Sequence, residues 1–243
     1  MRNMRVFRFA IVAVLILAVL ACTASCSLLP DLQGEETVTL LVQGNLDALY
    51  LRKYDDEYLN LVGSNEEDQE AVYMEGIQSD AEYFAWYWGI IDIDAGEKLT
   101  DLDEKLRQNI MDLCIQISGQ AKYEVQPAAK MKKGSYTVKV LVSPNTIMEV
   151  AYEMYESGTY EPLNAFAEKS ANVEWEKITE EEYWALSNEY GQIIVDMVKS
   201  LLPNVSYGAP KSMVIQVDEN EEGKLQMNED DMVTFNSYVV TYP

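Results

Sequence analysis

The hydrophobic pattern changes character several times along the chain. From Phe9 to Ala21 every residue is apolar. That run is the length of a signal-peptide core and short for a membrane-spanning helix. After Glu36 the period becomes helical. Val38, Leu41, Val42, Leu49 and Tyr50 share one face of a helix expected over 36–52, and a short helix follows over 55–62. Ser64 with Glu67 reads as a capping box for a helix that carries Tyr73, Ile77, Phe84 and Trp88 on one stripe up to Gly89. Thr100 with Asp103 reads as a second cap. Its helix places Leu102, Leu106, Ile110, Leu113 and Ile117 on one side.

The period then falls to two. Tyr123–Gln126 alternates, Lys132-Lys133-Gly134 signals a turn, and Ser135 to Val142 alternates with Tyr136, Val138, Val140 and Val142 on one face. Helical spacing returns after Pro144, with Asn145 as the expected cap of a helix from Thr146 to Glu156 and a short helix over 161–169. Thr179 with Glu182 opens a long helix whose stripe is Tyr183, Leu186, Tyr190, Ile194, Met197 and Leu201. A strand over 212–218, a Glu-Glu-Gly-Lys turn and a return strand at 225–227 follow. Asn228 caps a last short helix before extended chain, or Val233 to Tyr242 forms a further strand. The order implies an α+β fold, with helices packed on antiparallel hairpins. Both 36–144 and 145–243 read as short helices, a long helix and a hairpin. That pattern suits two similar halves, or simply two stretches of α+β sequence.

The N-terminal segment supplies an address. Arg2, Arg5 and Arg8 precede the apolar run, which ends Val19-Leu20-Ala21-Cys22. That ending resembles the bacterial lipobox, and the resemblance implies a lipoprotein signal over 1–21, cleaved before Cys22, with lipid on the Cys22 sulfur; a plain secretory signal or an uncleaved anchor is the other reading. Cys26, in Thr23-Ala24-Ser25-Cys26, is the alternative site. Residues 22–35 then form a tether, and 36–243 the α+β domain. Two acyl chains hold a protein on a bilayer where one holds only marginally.

Composition sharpens this picture. At 48% hydrophobic residues the chain can bury a real core. It has 18 basic and 41 acidic residues. Loss of the three leader arginines takes the net charge from −23 to −26. Such a surface repels nucleic acid and anionic headgroups, so lipid is the expected tether. It favours a cationic peptide, a cation or a basic protein patch as partner. Histidine is absent, which excludes Ser-His, Cys-His and His-metal arrangements. Of the three cysteines, Cys114 sits on an apolar helix stripe and reads as a small buried hydrophobe.

Three patterns carry candidate chemistry. Asp218, Asn220, Glu222, Gly223, Leu225 and Glu229 approach the spacing of a calcium loop. That loop needs a helix before it, whereas 211–217 reads as a strand, so a hairpin turn explains the same letters. Asp92 with Asp94 and Asp101 with Asp103 are acidic pairs that read as acid–base groups or as loop and cap residues. The run Tyr83-Phe84-Ala85-Trp86-Tyr87-Trp88 covers all sides of one helix, so it lines a pocket or partner surface, or is sandwiched in a core.

Asn45-Leu46-Asp47-Ala48-Leu49-Tyr50 with Lys53-Tyr54, Tyr83-Phe84-Ala85, Ala121-Lys122-Tyr123-Glu124-Val125 and Tyr136-Thr137-Val138 resemble segments of a group of lipoproteins from Gram-positive bacteria built around a domain of unknown function. A looser match runs from Gly223-Lys224 to Asp230-Asp231. The resemblance implies membrane anchorage and a cystatin-like or nuclear-transport-factor-like class of fold, in which a curved sheet wraps a helix. It implies no activity. The expectation is therefore a tethered, non-enzymatic binding or envelope-interaction protein with no cofactor. A carboxylate- or metal-dependent extracytoplasmic hydrolase and a calcium-stabilised structural module are the alternatives.

Overall fold

The computed structural model describes residues 34–243, and the fold is α+β. Eight α-helices occur among the described residues: α1 (Glu35–Leu51), α2 (Asp56–Val62), α3 (Glu66–Tyr87), α4 (Glu104–Ser118), α5 (Ile147–Ser157), α6 (Glu161–Ser170), α7 (Glu180–Leu201) and α8 (Glu229–Val239). The strands are β1 (Lys122–Val125), β2 (Ala129–Lys132), β3 (Ser135–Ser143), β4 (Lys211–Glu219) and β5 (Leu225–Met227). They form one antiparallel sheet in the order β1-β3-β4-β5, with β2 also paired to β3. No helix of the described residues is long and apolar enough to cross a membrane.

The chain divides into two compact units that interleave in sequence. The first takes residues 34–76, 118–145 and 207–240 of the described chain, and the second 77–117, 146–206 and 241–243. Each of the segments 36–144 and 145–243 thus contributes to both units.

The first unit is a helix layer on one face of the sheet. Tyr136, Val138, Val140 and Val142 of β3 and Met213, Ile215 and Val217 of β4 are buried and alternate with exposed or half-buried positions. They pack with Val38, Val42 and Leu46 of α1, Tyr58 and Leu59 of α2 and Phe235 and Val239 of α8. The opposite face carries Lys139 and Val214, exposed, as an antiparallel sheet allows. The strand β2, with no alternation to announce it, is exposed throughout. Its lysines at 130 and 132 suit an edge strand, where charge discourages pairing with another chain.

Arg52, in the left-handed region at φ 54°, ends α1. Its guanidinium meets Glu70 through both Nε and Nη2, and Tyr54 donates to the same carboxylate at 2.8 Å. The hydrogen bond and charge of Arg52 hold the Glu70 carboxyl below its ordinary range. A glycine would take that backbone conformation without strain, whereas an arginine there costs about 1 kcal/mol.

The second unit is helical. Leu106, Ile110, Leu113, Cys114 and Ile117 of α4 are buried on the expected stripe, and Cys114 is a free thiol. In α7 the stripe holds for the C-terminal half, where Ile194 and Met197 are fully buried. Tyr183 and Tyr190 are only half-buried; their hydroxyls donate to Glu97 and to the Trp88 carbonyl.

Three caps differ from expectation. Asn65, not Ser64, caps α3, accepting from the Asp68 amide at 3.0 Å, while Ser64 accepts from the Gln69 side chain. Thr100 lies in a 3₁₀ turn (Leu99–Asp101), and Asp103 caps α4 by accepting from the Leu106 amide at 2.7 Å. The Asn145 amide instead bonds the Val239 carbonyl, and Thr146 precedes α5 without a side-chain cap. In the first two cases a neighbouring side chain of equal capping ability stands one or a few residues away, and only the chain path selects between them; α5 starts with no side-chain cap. Thr179 with Glu182 forms the expected capping box, and Asn228 caps α8.

Candidate binding face

The lipid-attachment candidates Cys22 and Cys26, the signal over 1–21 and most of the tether lie outside the described residues. The other candidates can be placed. Asp218 sits within β4, paired to Ser135 of β3 and Gln226 of β5, and accepts from the Gln216 side chain at 2.5 Å. Asn220 folds its own turn: its Oδ1 accepts from the amides of Glu222 and Lys224 at 3.0 Å each. Gly223 takes φ 78° to close that turn, Glu222 pairs with Lys224 at 2.8 Å, and Glu229 begins α8. The four candidate calcium ligands are thus divided among strand, turn and helix. Among the described residues no three acidic or cysteine side chains are grouped to hold a metal ion. The melting temperature is therefore expected to be the same, within about a degree, in millimolar calcium and in EDTA. A rise of several degrees with calcium would make the loop a calcium site.

The acidic pairs serve the backbone. Asp92 accepts from the amides of Asp94 and Ala95, Asp101 from that of Lys98, and Asp103 from that of Leu106. Asp94 is exposed. These are the roles of short side chains at turns and helix starts.

The aromatic run divides by position. Tyr83, Phe84 and Trp88 are buried, whereas Trp86 and Tyr87 are half-buried. Tyr242 packs edge-on against Tyr83 and Tyr87 at 4.9 and 4.8 Å between centroids. Trp88 is 5% exposed, and its indole N–H is buried with no acceptor. An unpaired buried donor costs about 1–3 kcal/mol.

Residues without a sequence motif complete the face. On α5, Tyr152 and Tyr155 are exposed, with ring centroids 6.4 Å apart and planes 22° from parallel. The Tyr155 ring lies 5.7 Å from that of Trp88. Glu153 and Glu156 are exposed beside the pair, Glu149 is half-buried, and α5 contains no basic residue. The charge of Glu156, followed by slight burial and a hydrogen bond to it, holds the Tyr152 phenol above its ordinary value. The signal was legible in retrospect: the tyrosines stand three apart among glutamates at 149, 153 and 156, while the buried Ile147, Met148 and Ala151 take the other side.

A second unannounced group is Asp80 of α3. Its carboxyl is enclosed although the residue keeps some exposed surface, and burial pushes its pKa up to about 7. Cys114 and Tyr242 are its ionisable neighbours, each raised first by burial. A lone carboxyl near neutrality can hold a proton, but it has no second carboxylate with which to divide acid and base roles.

No protein-family model matches the sequence, and no curated protein matches it. Among solved structures, the crystal structure of a candidate lipoprotein, YcdA, from Bacillus subtilis is similar, with a TM-score of 0.54 and 11% sequence identity. The match covers 84% of this chain and 56% of that one, so the chain spans little more than half the length of its neighbour. At this identity the likeness establishes shared fold.

Proposed function

We propose that this chain is an exported lipoprotein, cut before Cys22 and held by lipid on that residue at the extracytoplasmic face of a bacterial cell membrane, where it acts as a binding or envelope-interaction protein rather than an enzyme. The observation that carries the binding role is the use of the side chains. The side chains of Asp92, Asp101, Asp103 and Asn220 are engaged in caps and turns, while two large aromatics stand exposed on α5. Exposed tyrosines with carboxylates around them are the composition of a recognition surface. The description of the Bacillus neighbour as a candidate lipoprotein supports the address, as does the resemblance to lipoproteins of Gram-positive bacteria. The helix layer on one face of a five-stranded antiparallel sheet supports a cystatin-like or nuclear-transport-factor-like reading of the first unit.

Metabolic labelling with palmitate tests the anchor. The wild-type chain incorporates label and sediments with membranes. Cys22→Ala loses both, and Cys26→Ala keeps both. Label retained by Cys22→Ala and lost in Cys26→Ala would move the site to Cys26, and label in neither wild type nor variants would refute the lipoprotein reading.

A further inference from the structure

We propose that the Tyr152–Tyr155–Glu156 face of α5 binds a guanidinium or ammonium group presented by a basic peptide segment of a partner protein. This deepens the binding role above and is independent of the anchor. Its elements are on one short helix. Two tyrosine rings stand 6.4 Å apart and close to parallel, each exposed over 37% of its surface. A ring face attracts a cation through its quadrupole, and two rings on one side of a helix offer two such faces to the same side chain or to successive ones. Glu156 stands four residues after Tyr152 and interacts with its hydroxyl, so a carboxylate lies at the edge of the aromatic pair. Glu153 extends the negative surface, and α5 has no lysine or arginine to compete for it.

Charge complementarity selects the partner. A chain with 41 acidic and 18 basic residues draws cations from a distance, but diffuse attraction has no address. The tyrosine pair supplies one. Beneath it, the buried Trp88 N–H lacks an acceptor, and the ring that bears it lies 5.7 Å from Tyr155.

The test is titration of the full chain, in detergent micelles, with oligo-arginine and oligo-lysine peptides at moderate salt. Two exposed cation–π contacts are worth about 1–2 kcal/mol together, so Tyr152→Ala/Tyr155→Ala is expected to weaken binding about tenfold. Tyr152→Phe/Tyr155→Phe keeps the ring faces and is expected to bind within about twofold of wild type. Glu156→Gln is expected to weaken binding severalfold, and Glu229→Gln, the same charge change in the other unit, to leave it unaltered. Guanidinium stacks on an aromatic face better than ammonium does, so the arginine peptide binds more tightly. Unchanged binding in the double alanine variant, or an equal loss from Glu229→Gln, would overturn the site and reduce the attraction to diffuse charge. Tyr155 packs on Trp88, so the phenylalanine pair and Glu156→Gln keep the test decisive should the alanine variant lose structure. Palmitate labelling is unaffected by any of these results, so failure here and failure of the anchor are distinguishable.

Discussion

Gly44→Ala is expected to destabilise the protein by about 3 kcal/mol, although alanine is the better helix former. Gly44 lies in the middle of α1, and a Cβ there would stand 2.3 Å from Tyr58 Cγ, 2.4 Å from Cδ2 and 2.6 Å from Cβ. No rotamer of Tyr58 removes its own Cβ from the path. Tyr58 is also fully buried, so α2 itself must move away from α1. Overpacking of this kind costs about 1–3 kcal/mol and more where backbone must shift, against a gain of about 1 kcal/mol in helix propensity. Gly191→Ala is the internal comparison. It is also in mid-helix, but its new methyl meets the Leu106 Cδ2 tip at 2.7 Å and the Ile90 Cγ2 methyl at 2.9 Å, atoms that side-chain rotation can move as it cannot move a Cβ. Urea unfolding should show a large loss for Gly44→Ala and about 1 kcal/mol or less for Gly191→Ala. Equal losses would mean that helix α2 yields as easily as two aliphatic tips.

Asp80→Asn is expected to act in the opposite direction, and its effect to depend on pH. The folded carboxyl titrates at about 7 against an ordinary 3.8, because burial penalises its charged form. The folded protein therefore holds a proton that the unfolded chain releases between about pH 4 and 7. For this group stability is greatest below pH 4, falls as the pH rises to about 7, and is level above that. Such a difference in pKa corresponds to about 4 kcal/mol between protonation states; the partial exposure of the residue reduces it to about 2 kcal/mol. At pH 8 the asparagine variant should be more stable by that amount, raising the melting temperature by about 4–8 °C. At pH 4 the two proteins should melt together. Glu70, Asp218 and Glu222 are held below their ordinary values and give the reverse slope in both proteins, so the difference between the two curves isolates Asp80. A difference that stays flat from pH 4 to 8 would place the Asp80 carboxyl in water.

Glu156, Tyr152 and Tyr155 show why the candidate face was harder to read than the core. A buried stripe repeats with the period of its element, so Tyr73, Ile77, Phe84 and Trp88 could be assigned to one side of α3 directly. A binding face has no period of its own. Tyr152 and Tyr155 satisfy the helical spacing of a core stripe as well as that of an exposed pair, and the choice rests on which side of α5 meets the rest of its unit. The run at 83–88 reads as a core segment or as a pocket or partner surface; most of it is enclosed, and the exposed pair lies on another helix.

The letters alone determined the α+β class, the strand faces at 136–142 and 213–217, the buried stripes of α3 and α4, and the cap at Thr179. In each of these a local period or a side chain within three residues carries the information. Tertiary structure decided what depends on contacts between distant residues. It paired β3 with β4 across an intervening run of helices, drew both sequence halves into each compact unit, and set Gly44 against Tyr58. It also enclosed Asp80 with Cys114 and Tyr242, and chose Asn65 over Ser64 and Asp103 over Thr100 as caps. The burial of a group and the path of the chain around it are properties of the packed molecule. No window of sequence contains them.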